Sequence, residues 1–442
     1  MASISIFSTL DRTVSAAYIA LIVSMGLGIV SLGSLGGGNI RLWQLSLIIY
    51  LVLQLIRNSI SRRMVLKLSV PIFLAIGYFI TIVLSGLNAI DHELWFKRVV
   101  LSASFLLLFI TISQGMQSKK AVPISNVIIF SGILFSILGI LDLYFYNYNR
   151  QIFDIIHSFD SSNVDGQATL AGYGVITRAR GFANEANEFS QYLIIPFGFI
   201  LAELAFTRRN KLVTFFYILA LAVVLLAQLA SLSRGGLLGF LAQIVALYFI
   251  KSKYEKIHKQ RKHYFRAITL MTIVSVILWF FVQAIFEENL IAIVLERVVS
   301  TNTSGDWTAD ARLATIYAGL ESVQAGIANF LIGIGAGNLD VSQVGEATTT
   351  NQFVDILVET GIAGILLFLI LIAYLLFIFE KSTTVSLLYL PSKSLTIFVG
   401  CFLSFIGMLV GGLTYATHSL FTFWFIAGLL TSVIKLRSLF KN

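Results

Sequence analysis

The sequence contains one cysteine, four prolines and little charge. A single cysteine, Cys401, excludes an intramolecular disulfide and any metal site built from several cysteines. With so few prolines, the chain offers few of the broken helices that mark inverted-repeat transporters. Charged residues make up 12% of the chain, which is about half of the roughly 25% found in soluble domains. The composition therefore argues against a soluble protein.

Most of the chain is apolar. Hydrophobic residues make up 57% of the chain and the mean hydropathy is +0.88. Apolar runs of about 17–25 residues, each long enough to cross a hydrocarbon core about 30 Å thick, recur along nearly the whole length. We therefore predict an all-α polytopic membrane protein, with residues 1–442 forming a single transmembrane domain. About twelve transmembrane helices are expected, at 14–36, 42–57, 66–87, 98–115, 121–146, 186–206, 212–230, 235–250, 267–286, 352–379, 394–412 and 418–435.

The distribution of lysine and arginine predicts the orientation of these helices. If the N-terminus is cytoplasmic, most of the 31 basic residues fall on the cytoplasmic side, and the densest run forms a basic loop at 251–266. Both termini are then cytoplasmic, and two long loops, at 147–185 and 288–350, face the outside. The net charge of +9 reflects this topology and an attraction to anionic lipid. Nucleic acid is not an expected partner.

The first external loop ends with two arginines just before the sixth predicted helix. Arg178 fits a binding role, but it equally fits an arginine that reaches a lipid headgroup or pairs with a local carboxylate. Arg180 is followed by Gly181 and by polar residues that have no reason to face lipid. These residues are Asn184, Glu185, Asn187 and Glu188. We therefore expect Arg180 to have a functional role.

Arg234 lies between two apolar stretches that are separated by almost no loop, within Ser231-Leu232-Ser233-Arg234-Gly235-Gly236. Arginine costs about 2.5–3.5 kcal/mol at the bilayer centre, and near the interface it is tolerated mainly when it faces protein or an aqueous cavity. The adjacent glycines would let a ligand approach the backbone closely. The alternative is that Arg234 pairs with a carboxylate of a neighbouring helix.

The second external loop contains an amphipathic pattern that begins at Trp307 and places Arg312 in its first turn. The pattern predicts one helix in the outer interface or against the bundle, with apolar positions at Leu313, Ile316, Tyr317, Leu320, Val323, Ile327 and Phe330. The glycine-rich stretch 333–338 follows no predicted strand, so we do not interpret it as a nucleotide-binding loop.

Several of these stretches together resemble the O-antigen polymerase/ligase membrane family, of the Wzy and WaaL type. The resemblance covers about residues 180–365. It is carried by Arg180-Gly181-Phe182 with Asn184 and Asn187, by 231–236, by Arg312 with Gly333-Ile334-Gly335-Ala336-Gly337-Asn338, and by Asn351-Gln352-Phe353 with Leu357, Glu359 and Gly361. It implies a fold related to the GT-C glycosyltransferases. It also implies work on glycans carried by undecaprenyl diphosphate, at the periplasmic face of the bacterial inner membrane, without a metal or another cofactor.

One position departs from the ligases of this family. Ligases usually have a histidine, thought to act as catalytic base, directly before the asparagine that matches Asn351. This chain has Thr350 there, and a threonine cannot accept a proton near neutral pH. The departure favours a polymerase over a ligase. His418 could reach the same cavity, although an ordinary interfacial histidine explains it as well.

The resemblance implies inverting glycosyl transfer between a lipid-linked donor and a lipid-linked acceptor. Arg180, Arg234 and Arg312 would stabilise the diphosphate leaving group, and Glu185 would take the proton of the acceptor hydroxyl. Substrate contacts are expected from Arg178, Asn187, Thr350, Asn351 and His418. The expected partners are undecaprenyl-diphosphate-linked oligosaccharides, membrane lipids and a chain-length regulator.

Three alternatives stay open at this point. A ligase that transfers the glycan to lipid A core would use the same arginines. A lipid-linked oligosaccharide flippase or transporter would place its charges near the bilayer midplane. A related transferase of cell-wall or exopolysaccharide assembly would share the chemistry and act on another sugar.

Overall fold

A computed structural model describes residues 2–24, 31–35, 38–60, 68–115, 124–148, 167–170, 174–181, 183, 185–207, 209–257, 307–339, 341–342 and 349–436. The predicted helix at 267–286, much of the basic loop at 251–266 and parts of both predicted external loops lie outside these residues. The described part is predominantly helical. Its strands form two short antiparallel hairpins, β1 (Ser31–Leu35) with β2 (Gly38–Arg41) and β3 (Gln167–Leu170) with β4 (Gly174–Thr177).

The described residues contain thirteen α-helices. They are α1 (Ala2–Ser24), α2 (Leu42–Ile60), α3 (Val70–Leu84), α4 (His92–Gly115), α5 (Ile124–Tyr148), α6 (Ala186–Phe206), α7 (Lys211–Ala230), α8 (Arg234–Ile257), α9 (Trp307–Gln324), α10 (Ile327–Ile332), α11 (Gln352–Tyr389), α12 (Ser392–Gly411) and α13 (Phe421–Leu436). Two 3₁₀ turns, Ser85–Asn88 and Thr417–Ser419, follow α3 and precede α13.

Nine helices of the described residues are long and apolar enough to cross a membrane, and they are α2 to α8, α11 and α12. The helical, multi-pass membrane architecture predicted from hydropathy is therefore confirmed at this level. The predicted first span at 14–36 is wrong in its bounds, because α1 ends at Ser24 and β1 begins at Ser31. Six glycines between residues 26 and 38 explain the error, since glycine disfavours a helix even within an apolar run.

Helices α6, α8 and α12 pack together at the centre of the bundle, and α6 is the most buried of the spanning helices. Polar side chains bond across these contacts, as is common between membrane helices. Gln243 of α8 donates from Nε2 to the carbonyl of Ile194 at 2.7 Å. Ser404 of α12 donates from Oγ to the carbonyl of Ile195 at 3.0 Å. These bonds fix α6 against both neighbours.

Helix α11 is interrupted at Gly361, where φ is 66° and ψ is −169°. The backbone of Leu331 lies against Gly361, and the backbone of Glu359 lies against Gly333, whose φ is 81°. A Cβ at either glycine would clash with the facing backbone, and the positive φ values also favour glycine. The predicted span at 352–379 is therefore not a single regular helix.

The predicted amphipathic helix is divided into α9 and α10, with Gly326 extended between them. Val323 of its expected apolar face is buried, but Leu313, Tyr317, Ile327 and Phe330 are exposed. Helix α9 packs on α11 partly through Gly319, which faces Val354 and Val358. Gly319 therefore lets the two backbones approach and Val323 packs with Val358, while much of the larger apolar face stays exposed.

A matched pair of glycines tests the packing of α5 against α6. A Cβ at Gly132 would clash with the ring of Pro196, whereas a Cβ at Gly77 would meet Leu367 at an ordinary 3.5 Å. Alanine is a better helix former than glycine by about 1 kcal/mol, but overpacking costs about 1–3 kcal/mol. We expect Gly132→Ala to lower the melting temperature of the purified protein in detergent and Gly77→Ala to leave it unchanged or higher. Equal melting temperatures would contradict the close approach of α5 and α6.

Candidate functional site

The segment that leads into α6 is bonded to the end of α7. The Arg178 guanidinium donates from Nε to the carbonyl of Ser231 at 2.9 Å and from Nη2 to Oδ1 of Asn187 at 2.8 Å. The amide of Ala179 donates to the carbonyl of Ala230 at 2.9 Å. Two of the predicted site residues, Arg178 and Asn187, therefore contact each other, and Arg178 also contacts the turn that precedes Arg234.

Arg234 is the first residue of α8 and is partly buried. The turn before it contains Leu232 with a φ of 50°, a strained value for a residue other than glycine. Gly236 faces the hydroxyl of Ser190, and Gly235 faces the amide of Gln191. A larger residue at Gly236 would clash there, so glycine lets α8 begin directly beside α6. Arg234 is thereby held close to the turn that Arg178 contacts.

Arg180 is buried, with 4% of its surface exposed. Its neighbour Gly181 has a φ of 52° and donates its amide to Oδ2 of Asp142 on α5 at 3.2 Å. The amide of Ala183 donates to the carbonyl of Arg180 at 3.0 Å, which closes a tight turn. Arg180 is therefore placed at the junction of α5 and α6, two residues from Arg178.

Glu185 and Glu188 occupy different environments although they are one turn apart. Glu185 is exposed at the N-cap position of α6, whereas Glu188 lies in the first turn and is buried. The Nη1 atom of Arg41 lies 3.9 Å from Oε1 of Glu188. Sequence reasoning did not select Arg41 or Glu188, although Arg41 falls between the first two predicted spans, on the predicted external side.

Tyr415, in the loop between α12 and α13, lies within electrostatic range of these charged groups. Burial raises the pKa of its hydroxyl well above the usual value, and the carboxylates of Glu185 and Glu188 raise it further, while Arg41 and Arg178 oppose that rise. The hydroxyl therefore stays protonated near neutral pH. We refer to Arg41, Arg178, Glu185, Glu188 and Tyr415 as the polar cluster. Nothing in the sequence marks Tyr415, because it comes from a distant loop.

Thr350 and Asn351 form the start of α11. Thr350 has a φ of 61°, a strained conformation for a β-branched residue. Asn351 caps the helix, since its Oδ1 accepts from the amides of Phe353 at 3.0 Å and Val354 at 3.3 Å. Its Nδ2 donates to the carbonyl of Leu413 at 3.2 Å. The side-chain amide of Asn351 therefore has a structural role at the start of α11.

Arg312 is not brought into the polar cluster by the described contacts. It lies in the second turn of α9, not in the first as predicted. Its side chain is outside the described residues. Gly319, two turns further along α9, faces the side chain of Thr349, so α9 packs beside the start of α11. Within the described residues, Arg312 is therefore related to the Thr350 segment through the packing of α9 alone.

The glycine-rich stretch 333–338 has a structural role. Its amides donate to groups of two other segments: Ile334 to the carbonyl of Val358 at 2.9 Å, Gly337 to Oε1 of Glu359 at 3.0 Å, and Ala336 to Oγ of Ser85 at 3.0 Å. Positive φ values at Gly333, Gly335 and Gly337 permit this path. The stretch therefore joins the end of α3 to α11, which agrees with the rejection of a nucleotide loop.

His418 lies away from the polar cluster. The loop between α12 and α13 returns into the bundle, since Oγ1 of Thr417 donates to Oε1 of Gln352 at the start of α11. His418 is 4% exposed. It lines a narrow recess with Arg98 and Glu359, between α3, α4, α11 and α13. Burial, followed by the positive charge of Arg98, lowers the pKa of His418 well below its usual value, so the ring is neutral near pH 7.

Within the described residues, no three His, Cys, Asp or Glu side chains come together as a metal site would require. No model of a known protein family matches the chain, and no curated protein matches it. The family resemblance therefore remains a prediction that depends on the motifs quoted from the sequence.

The capping role of Asn351 can be tested by two substitutions. Asn351→Ala removes the acceptor of two backbone bonds and should lower the free energy of unfolding by about 1 kcal/mol. Asn351→Asp keeps an acceptor, and its charge suits a helix N-terminus. We therefore expect the aspartate variant to melt near the native temperature in detergent and the alanine variant to melt below it. Identical melting of all three proteins would contradict a stabilising cap.

Proposed function

We propose that this chain is a glycosyltransferase of the bacterial inner membrane that polymerises lipid-linked repeat units of O-antigen or a related polysaccharide. The units would be carried by undecaprenyl diphosphate and joined at the periplasmic face, in a fold related to GT-C glycosyltransferases. The observation that carries the proposal is the junction of α6, α7 and α8. There, Arg178 donates to the turn that precedes Arg234 and to Asn187, and Glu185 and Glu188 stand at the start of α6.

The proposed reaction needs charge stabilisation more than bond activation. The bond between the donor sugar and diphosphate breaks with its electron pair moving to the diphosphate oxygen, while an acceptor hydroxyl attacks the same carbon from the opposite face. Guanidinium groups bind phosphate oxygens through two parallel hydrogen bonds. Arg180, Arg234 and Arg312 are assigned to the leaving diphosphate, because preorganised positive charge there lowers the barrier.

The acceptor hydroxyl must lose its proton as the new glycosidic bond forms. Glu185 is the better candidate of the two nearby carboxylates, because it is exposed at the start of α6 and a helix N-terminus favours the charged form of a carboxylate. Glu188 is buried and lies near Arg41. We assign Glu188 and Tyr415 to the positioning of Arg41 and Arg178.

The choice between a polymerase and a ligase depends on acceptor identity. Thr350 stands where ligases have a histidine, and His418 lines a separate recess. These two facts favour the polymerase. They leave Glu185 as the proposed base of the reaction.

Loss of Arg234 should abolish glycan polymerisation. In a strain that lacks the gene, the native gene should restore a ladder of surface glycan on a gel, and Arg234→Ala should leave lipid A core bearing a single repeat. One hydrogen bond to a charged oxygen contributes about 1.5–3 kcal/mol, so the loss of both bonds of a bidentate contact corresponds to a rate loss of about a hundredfold or more. Membrane levels of each variant should be measured by immunoblot.

A matched arginine serves as the control for this experiment. Arg57 pairs with Asp11 at 2.7 Å, and both side chains are about one-third exposed, so Arg57→Ala should restore the full ladder. A core without any repeat, together with accumulated lipid-linked polymer, would show instead that the chain is a ligase. A full ladder from Arg234→Ala at normal protein levels would contradict the proposed site.

The proposed orientation can be tested by cysteine labelling. Cys401 is fully buried, so it should give little background labelling. Replacing Cys401 by alanine removes that background. Leu413 and Tyr389 are both exposed and lie at opposite ends of α12. We expect a membrane-impermeant maleimide to label Leu413→Cys in intact spheroplasts, and to label Tyr389→Cys only after the membrane is opened. The reverse pattern would overturn the predicted orientation.

A further inference from the structure

The recess that His418 lines contains a second cationic position, remote in sequence from the polar cluster. We call it the Arg98 recess, and its charged and polar lining residues are Arg98, Glu359, His418 and Ser102. Its apolar walls come from α3, α4 and α13, and they include Phe79, Leu106 and Trp424. Phe79 and Leu106 are only partly buried, so the recess reaches the lateral surface of the described bundle.

The guanidinium group of Arg98 has N–H donors that its described contacts do not use. Its closest described charged partner is Glu359, with Nη2 3.6 Å from Oε2, which is longer than a good hydrogen bond. The other carboxylate oxygen of Glu359 accepts the amide of Gly337 at 3.0 Å, so Glu359 is held by the glycine-rich stretch. Glu359 therefore balances the charge of Arg98 without occupying the guanidinium group.

His418 provides an independent observation. It is 4% exposed, and neither of its ring nitrogens has a hydrogen-bond partner among the described residues. Burying a polar group without a partner costs about 1–3 kcal/mol, so such a group calls for an explanation such as a bound ligand or ion. The ring faces the same recess as Arg98. A neutral imidazole and a guanidinium would together offer N–H donors to one bound group.

The depth of the recess indicates what that group is attached to. Arg98 lies six residues after the start of α4, which is about 9 Å along the helix axis, and Leu106 lies about 21 Å along it. The recess therefore extends from the charged pair into the depth of the hydrocarbon core. A ligand that fits has an anionic oxygen group at one end and an apolar chain at the other.

We infer that the Arg98 recess binds the phosphate group of a membrane lipid, whose chain lies along α3 and α4. Phosphate oxygens suit the guanidinium fork, and the apolar walls suit the chain. Either an ordinary phospholipid or a polyprenyl phosphate carrier could supply this chemistry. The assignment to a carrier, as the second lipid-linked substrate, rests on the proposed function, whereas lipid-phosphate binding rests on the recess alone.

Photocrosslinking tests the inference on the purified full-length chain in a detergent without phosphate. The probes are a diazirine-bearing polyprenyl phosphate and a diazirine-bearing phosphatidylglycerol, and the labelled peptides are identified by mass spectrometry. We expect labelling on α3 and α4 near Phe79 and Leu106. Arg98→Gln should reduce it about tenfold, which is the effect of losing a charge-assisted hydrogen bond.

Two further variants serve as controls for specificity and for folding. Arg57→Gln removes a paired arginine elsewhere and should leave the labelling unchanged. Arg98→Gln alone leaves Glu359 buried without its counter-charge, which could prevent folding. The double variant Arg98→Gln/Glu359→Gln removes both charges, keeps an acceptor for Gly337, and should lose the labelling while remaining folded.

The outcomes separate the two proposals. Labelling elsewhere, or labelling that persists in the double variant, overturns the inference even if Arg234 is essential for the glycan ladder. Recess labelling in a protein whose loss leaves the ladder intact supports the inference and overturns the proposed function. Labelling by both probes identifies a general phospholipid site, and labelling by the polyprenyl probe alone supports the carrier assignment.

Discussion

Three hydrogen bonds between the start of α11 and the loop that follows α12 hold the two polar regions in place. The amide of Gln352 donates to the carbonyl of Gly412 at 2.9 Å, Thr417 donates from its hydroxyl to Oε1 of Gln352, and Asn351 donates to the carbonyl of Leu413. The same loop carries Tyr415 to the polar cluster and His418 to the Arg98 recess. Because one loop serves both regions, a shift at the start of α11 would move both.

The bilayer explains why polar contacts carry so much of this arrangement. Lipid tails are as apolar as leucine, so helices associate through close packing and interhelical hydrogen bonds more than through the hydrophobic effect. At the start of α8, Gly235 and Gly236 admit Gln191 and Ser190 of α6 into contact. The residues that join the helices are therefore neighbours of Arg234, and they fix the backbone that carries it.

The sequence predicts the helices better than it predicts the site. The apolar run at 186–206 coincides with α6, because a run of that length has few other folds in a bilayer. Arg178, Arg180 and Arg234 are conspicuous in the sequence because they are charged residues beside apolar sequence, and their assignment to the site stays a prediction. The pairs of Arg41 with Glu188 and of Arg98 with Glu359 were missed. Their partners lie far apart in sequence, and no local pattern reveals such contacts.

The distance of the charged residues from the helix ends indicates the class of reaction. The backbone of Arg234 lies at the very start of α8, and Arg98 and Glu359 lie within about 10 Å of the starts of α4 and α11. Arg41 and Arg98 each lie near a buried carboxylate, which reduces the cost of placing an arginine at this depth. A transporter would need such groups near the midplane, along a path through the bundle. Charges held near one end instead favour chemistry on headgroups, with the lipid chains remaining in the membrane.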